Sequence, residues 1–304
     1  MQKRSVALPW RLTGIVLLSL AAGGALAQPG APLATRLVFG LLTGPGEPVT
    51  TEWQLPDAEP RAWVLLQHGF GRQCANLRGT ARRLAEQGLA TLCLQADMAH
   101  GAPDLARRVA RAIAAESADA SWRPLHSGIG PVRWLLAGHS AGAWFAARIG
   151  GDLVRLAPDR LAGLMLVDPV GSGGLGERLA GVAVQGHRPV WAFLAPPSRC
   201  NAQQQALAAL QAVQASVRVD GRPGAVRLVL QDPATHLDIE GEDTEGLAVW
   251  LCGGGWPDAA RTEALRGLMV SWADELLRLP QGPGAAAPPV VGSPAGSPQA
   301  AGRP

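Results

Sequence analysis

Val132-Arg133-Trp134-Leu135-Leu136-Ala137 runs straight into Gly138-His139-Ser140-Ala141-Gly142 and then Ala143-Trp144-Phe145-Ala146-Ala147. The first stretch reads as a buried strand over 132–137 and the last as a helix over 141–149, so Ser140 falls on the tight turn between them. The letters G-x-S-x-G alone say little: with 38 glycines in 304 residues, chance supplies about 0.2 such matches. The strand before and the helix after are what count. On such a turn a side chain at residue 138 or 142 would meet neighbouring backbone, and the serine Oγ is lifted above the sheet near the positive end of the helix.

Outward from this turn, short apolar runs alternate with helical patterns. Strands are predicted at 36–41 and 49–55, paired around Gly44-Pro45-Gly46, then at 62–67, 90–95, 132–137, 161–167, 190–194 and 226–230. Helices are predicted at 77–87, 103–116, 141–149, 202–213 and 259–279. This rhythm argues an α/β domain with a mostly parallel sheet covered on both faces, in which sites gather beyond the carboxyl ends of the strands. No internal repeat is apparent.

Composition removes several chemistries. Lys3 is the single lysine and there is no tyrosine, which excludes Schiff-base, Ser-Lys, tyrosine-nucleophile and P-loop lysine mechanisms from the rest of the chain. Lys and Arg number 27 against 24 Asp and Glu, but Lys3, Arg4 and Arg11 all precede residue 28, where no acid stands. The remainder is neutral and has no basic run, so no nucleic-acid partner is expected. The six histidines show no H-x-H or H-E-x-x-H pattern, and no catalytic metal is expected.

Those three basic residues, the apolar stretch 12–20 and Ala25-Leu26-Ala27 form the three-part pattern of a secretory signal, with cleavage expected after Ala27. The 16 uncharged residues of 12–27 fall short of the ~20 that span a bilayer, so no stable membrane span is expected once the signal is removed. Residues 28–279 form the expected catalytic domain. From 281 to 304, 19 of 24 residues are Gly, Pro, Ala or Ser, and 280–304 reads as a disordered tail. Export permits disulfides among Cys74, Cys93, Cys200 and Cys252, which allow three connectivities; we favour Cys200 with Cys252.

The elbow-like turn, together with His68-Gly69-Phe70-Gly71 after an earlier strand, resembles the α/β-hydrolase superfamily, and the match extends from His68 to His236. That resemblance implies an oxyanion hole built from the main-chain N–H groups of Phe70 and Ala141. It also implies the chain order serine, acid, histidine, which leaves His187 and His236 as bases. His187 precedes a strand, at the wrong edge. His236 lies in Asp232-Pro233-Ala234-Thr235-His236-Leu237-Asp238, a polar turn after the 226–230 strand, and is the expected base.

The acid is expected at the end of one of the two strands after the elbow helix. The 190–194 strand runs into Ala195-Pro196-Pro197-Ser198-Arg199-Cys200-Asn201, without a carboxylate, whereas 161–167 ends in Asp168-Pro169-Val170. Asp168 is therefore the expected acid, with Asp232 and Asp238 as reserve candidates that read more simply as local turn formers beside His236. Gly-His-Ser, Val-Asp-Pro-Val, Ala-Pro and Thr-His-Leu-Asp in this order are similar to the chlorophyllase-like branch, with secreted polyester hydrolases as the neighbouring comparison. Plant chlorophyllases commonly carry arginine after the nucleophile, where this chain has Ala141.

The expected function is an exported serine hydrolase acting on a small or polymeric carboxylic ester through Ser140, His236 and Asp168, without a cofactor. An acyltransferase using the same residues and an inactive binding protein of the same fold are the rivals. Oligomeric state is not legible. Gly171-Ser172-Gly173-Gly174-Leu175-Gly176 matches G-x-G-x-x-G, but the next strand ends without the acid that a dinucleotide ribose needs, so it reads as a glycine-rich loop near the site mouth. His68, His139, Trp144 and Trp191 read first as packing residues, with the two tryptophans as alternative pocket walls.

Overall fold

The computed structural model describes residues 32–43, 46–115, 133–171, 173–222, 224–253 and 255–279. The predicted signal segment and the Gly/Pro/Ala-rich tail lie outside these residues, as do 44, 45, 116 and 132 at the edges of predicted elements.

Eight strands form one sheet: β1 (Thr35–Leu42), β2 (Val49–Pro56), β3 (Ala62–Gln67), β4 (Leu89–Leu94), β5 (Trp134–His139), β6 (Leu161–Val167), β7 (Val190–Leu194) and β8 (Val226–Leu230). Their spatial order is β1-β2-β4-β3-β5-β6-β7-β8. β2 runs antiparallel to both β1 and β4, and every other pairing is parallel. Every residue of β3 to β7 is buried, which is why these strands appear as unbroken apolar runs rather than alternating ones.

The alternation reappears as a choice between two cores. Trp134 and Leu136 of β5 join one apolar cluster, while Leu135 and Ala137 join the other. The first is covered by α2 (Pro103–Ala114), α3 (Ala141–Leu156), α4 (Leu175–Ala180) and α5 (Leu207–Val219); the second by α1 (Arg78–Ala85) and α7 (Ala259–Arg278). In α2 the buried set Ala106, Val109, Ala110 and Ile113 has the spacing of one helical face, and Pro103 opens the helix where no N–H partner is needed. Asp258 caps α7 by accepting from the N–H groups of Ala260 and Arg261.

Three predicted helices need correction. α3 continues seven residues beyond 149, through Gly150 and Gly151. The glycines do not stop it because they let it approach the sheet: a Cβ on Gly150 would sit 3.0 Å from Leu164 and 3.1 Å from Val182. The helix predicted at 202–213 begins only at Leu207, because Ala202, Gln203 and Gln204 all take positive φ (49°, 59° and 58°). The helix predicted at 77–87 is α1, which spans Arg78–Ala85 and is entered from a 3₁₀ turn, Cys74–Leu77. A short helix, α6 (Gly246–Cys252), and α4 were not predicted.

Two disulfides cross-link the chain, Cys74 to Cys93 and Cys200 to Cys252; the second is the pairing favoured from sequence. Among the described residues no helix is long and apolar enough to cross a membrane.

Candidate active site

The site begins at the β5–α3 turn. Ser140 has φ 56° and ψ −123°, a strained backbone for a residue with a Cβ, and so stands out of line from both the strand and the helix. Neighbours hold it there: its N–H donates to the Val167 carbonyl at 3.0 Å, and its carbonyl accepts from Val170 N–H at 3.1 Å. The flanking glycines have a steric cause. A Cβ on Gly138 would lie 2.2 Å from the Gly142 carbonyl oxygen, and one on Gly142 would lie 2.3 Å from that of His68.

The second contact brings the β3 turn, His68-Gly69-Phe70-Gly71, against the elbow. Gly69 is pressed so close that its Cβ would meet Ser140 Cβ at 2.9 Å. Ala141 is the first residue of α3, so its N–H has no intrahelical acceptor. Among the described residues no backbone carbonyl accepts from Phe70 N–H either. The Phe70 side chain is exposed.

Asp168 ends β6 in a left-handed conformation (φ 42°), buried to 1% exposure. Its N–H donates to the Phe193 carbonyl at 2.7 Å, which locks it onto the end of β7. The structure brings His236 to it: His236 Nδ1 lies 2.6 Å from Asp168 Oδ2. The carboxylate also accepts from Ala195 N–H (3.1 Å) and from Asn201 Nδ2 (3.3 Å to Oδ1, 3.1 Å to Oδ2). This satisfies a group that would otherwise be an unpaired buried charge. Ser140, Asp168 and His236 thus follow β5, β6 and β8 at one edge of the sheet.

Asn201 was missed by sequence reasoning. It is fully buried, and its Oδ1 closes a turn by accepting from Ser198 and Gln204 N–H groups. The cue was a polar Ser-x-x-Asn turn at the strand end where a carboxylate was sought and not found.

The other candidates fall elsewhere. His187 is exposed before β7, at the opposite end of that strand, and Asp232 is exposed. Asp238 is buried but occupied, accepting from Thr235 N–H and Oγ1, each at 2.8 Å, and from Arg261 Nε at 2.9 Å. Trp191 is wholly buried against Trp272 and beneath Arg227, a core residue. Trp144 packs under Arg148 and against Gly171 of the glycine-rich loop, six per cent exposed.

Two further histidines lie beside the site. His68 Nδ1 contacts the Gly69 carbonyl at 2.9 Å, and burial pushes its pKa down. The ring of His139 lies 4.4 Å from that of His236, and burial, then the His236 charge, hold His139 well below the ordinary value of 6.5. His139 is therefore neutral at neutral pH. One group of three metal-capable side chains, His68, Cys74 and Cys93, lies close together, but both sulfurs are joined in the disulfide and offer no thiolate.

No family model matches the chain, and no curated protein does. Solved structures do. The chain is similar to a dienelactone hydrolase-like promiscuous phosphotriesterase from metagenomic libraries (16% identity, TM-score 0.57, 81% of this chain and 99% of that one). It is also similar to a dienelactone hydrolase from Anabaena variabilis (15%, 0.53, 78% and 96%) and to an esterase (13%, 0.53, 82% and 82%). The chain has the α/β-hydrolase fold.

Proposed function

We propose that the protein is an exported serine hydrolase that cleaves carboxylic esters through an acyl-enzyme. One observation carries this reading: a buried carboxylate holds an imidazole at 2.6 Å, on strand ends next to a serine whose backbone is strained out of both strand and helix. Asp168 accepting from Nδ1–H leaves His236 Nε2 as the basic nitrogen, the tautomer a serine hydroxyl needs.

In the forward reaction Ser140 Oγ attacks the ester carbonyl carbon while its proton passes to His236 Nε2. The developing oxyanion faces the N–H groups of Phe70 and Ala141, each well-placed donor supplying about 3 to 4 kcal/mol of transition-state stabilisation. Collapse breaks the carbon–oxygen ester bond, and His236 returns the proton to the leaving alcohol. Water then attacks the acyl-enzyme with His236 as base, releasing the acid and restoring Ser140.

A crevice beside His236 is lined by Pro196, Ser198, Thr235, Leu237, Cys252 and Gly255, and among the described residues its lining has no carboxylate, lysine or arginine. A neutral ester fits it better than a charged one. Two disulfides and the signal-like leader support export. The test is a chain-length series of p-nitrophenyl esters beside an insoluble polyester film, with and without an added alcohol. Acid release that is independent of the alcohol supports hydrolysis. Ester product growing with alcohol at the expense of acid points to acyl transfer, and no turnover points to a binding protein.

A further inference from the structure

Between the proposed base and the proposed oxyanion turn lies a buried ion pair that the reaction above does not use. Arg72 stands two residues after Phe70, and its N–H closes the turn onto the Gly69 carbonyl at 3.3 Å. Its guanidinium grips Glu240 with two parallel bonds, Nε to Oε1 at 2.8 Å and Nη2 to Oε2 at 2.6 Å, and reaches Glu245 with Nη1 at 3.2 Å. Glu240 is fully buried, four residues past His236 in the same loop, with its N–H bonded to Leu237. Its Oε1 also lies 4.0 Å from Nδ1 of His139, the residue before Ser140. One carboxylate thus touches the turn carrying one oxyanion donor and the loop carrying the base, and stands next to the elbow.

Taking two charges out of water is costly, and an apolar pair of similar volume commonly serves folding as well or better. Stability is therefore a weak reason for this pair, whereas its fork geometry fixes distance and orientation between two separate loops. We infer that Arg72 and Glu240 are positioning residues: their ion pair sets the oxyanion turn against the His236 loop, and the Glu240 carboxylate favours the His236 cation formed during turnover. This rests on the esterase reading above. A strap of this kind acts on kcat and leaves KM largely alone, because an ester can bind without the alignment that its transition state requires.

The groups facing His236 set the charge effect. Asp168 after β6 bonds it directly, His139 at the end of β5 is neutral, and Glu240 in its own loop has its pKa raised by burial against the opposing pull of Arg72 from the β3 turn. His68 at the end of β3 is held below its ordinary value, and Asp238 is paired with Arg261 of α7. Removing the Glu240 charge while keeping its shape leaves Arg72 countered by Glu245 alone near the imidazolium.

Two variants of the full chain test this, with p-nitrophenyl butyrate as substrate. Arg72→Met/Glu240→Met should keep the wild-type Tm or exceed it, while kcat falls about 10- to 100-fold and KM stays within about two-fold. Glu240→Gln should move the acid limb of the kcat/KM profile to lower pH by about half a unit or more. Should the double variant fail to fold, Glu240→Gln decides. A folded double variant with kcat within two-fold of wild type, or a Glu240→Gln acid limb that does not move, overturns the assignment. Wild type that turns over no ester overturns the esterase reading and this inference together; active wild type with unaffected variants overturns this inference alone.

Discussion

The elbow at 138–142 and the histidine loop at 235–256 are held in place in opposite ways. The elbow's turn is marked within five residues, by a Gly138 whose Cβ would lie 2.2 Å from the Gly142 carbonyl oxygen and by the strand and helix on either side, and is completed by the β3 turn against Gly142 and by Val167 and Val170 against Ser140. The histidine loop has a local Thr235–Asp238 turn, but among its described residues no glycine is pressed against backbone oxygens. It is held by residues distant in sequence: Cys200 through the disulfide to Cys252, Arg72 through Glu240, Arg261 through Asp238, and Asn76 through the Asp243 carbonyl at 3.0 Å. A nucleophile on a sterically crowded backbone turn and a base held by side-chain ties should fail differently.

The largest difference should come from cutting the tie that reaches His236 itself. Asp168→Asn keeps the shape but offers Nδ1 an amide instead of a carboxylate, and kcat at neutral pH should fall by about 10⁴-fold with little change in KM. A loss under ten-fold would mean that the imidazole is oriented by something else. On the elbow side, Gly142→Ala should cost about 3 kcal/mol or prevent folding, since the new methyl meets the His68 and Gln67 carbonyl oxygens at 2.3 and 2.4 Å. Gly267→Ala in α7, where nothing lies within 4 Å, is the control and should stabilise by about 0.5 to 1 kcal/mol. Denaturant titration of both variants reads the contrast directly.

Replacing Cys200 and Cys252 by serine opens a link of 52 residues and should lower stability by about 2 to 4 kcal/mol. Because Cys252 lines the crevice beside His236, kcat should fall as well, whereas the elbow should still fold. Equal activity in this variant would show that the loop does not need the Cys200–Cys252 tie.

The smallest effect concerns pH. Burial lowers the pKa of His139 in the folded chain below the ordinary value of 6.5, so at acid pH the unfolded chain binds more protons than the folded one. Stability is then full above about pH 6.5 and declines as pH falls through the window down to the lowered folded value. His68 acts in the same direction. Thermal melts from pH 8 to pH 5 should show Tm falling below about 6.5, and His139→Leu should flatten part of that fall. An equally steep fall in the variant would assign the acid sensitivity to other groups.

What could be read in the sequence follows the same division. The fold was legible because β6, β7 and β8 are short apolar runs bounded by polar or breaking residues, and their ends coincide with the predicted ones at 161–167, 190–194 and 226–230. Ser140 was marked by its strand and helix, and Asp168 by being a carboxylate directly after an apolar run. Asn201 and the Arg72–Glu240 pair carried no such mark, since their meaning lies in partners 33 and 168 positions away. The late start of α5 was hidden for a different reason: Ala202, Gln203 and Gln204 are ordinary helix formers, and tertiary context placed all three at positive φ.

The most direct test is to treat the oxidised, full-length protein with a fluorophosphonate and locate the adduct by intact mass and peptide mapping. A single adduct on Ser140, formed far more slowly in His236→Ala and absent from Ser140→Ala, is the expected result. Unmodified Ser140 in correctly disulfide-bonded protein, or an adduct on another residue that Ser140→Ala leaves untouched, would contradict it.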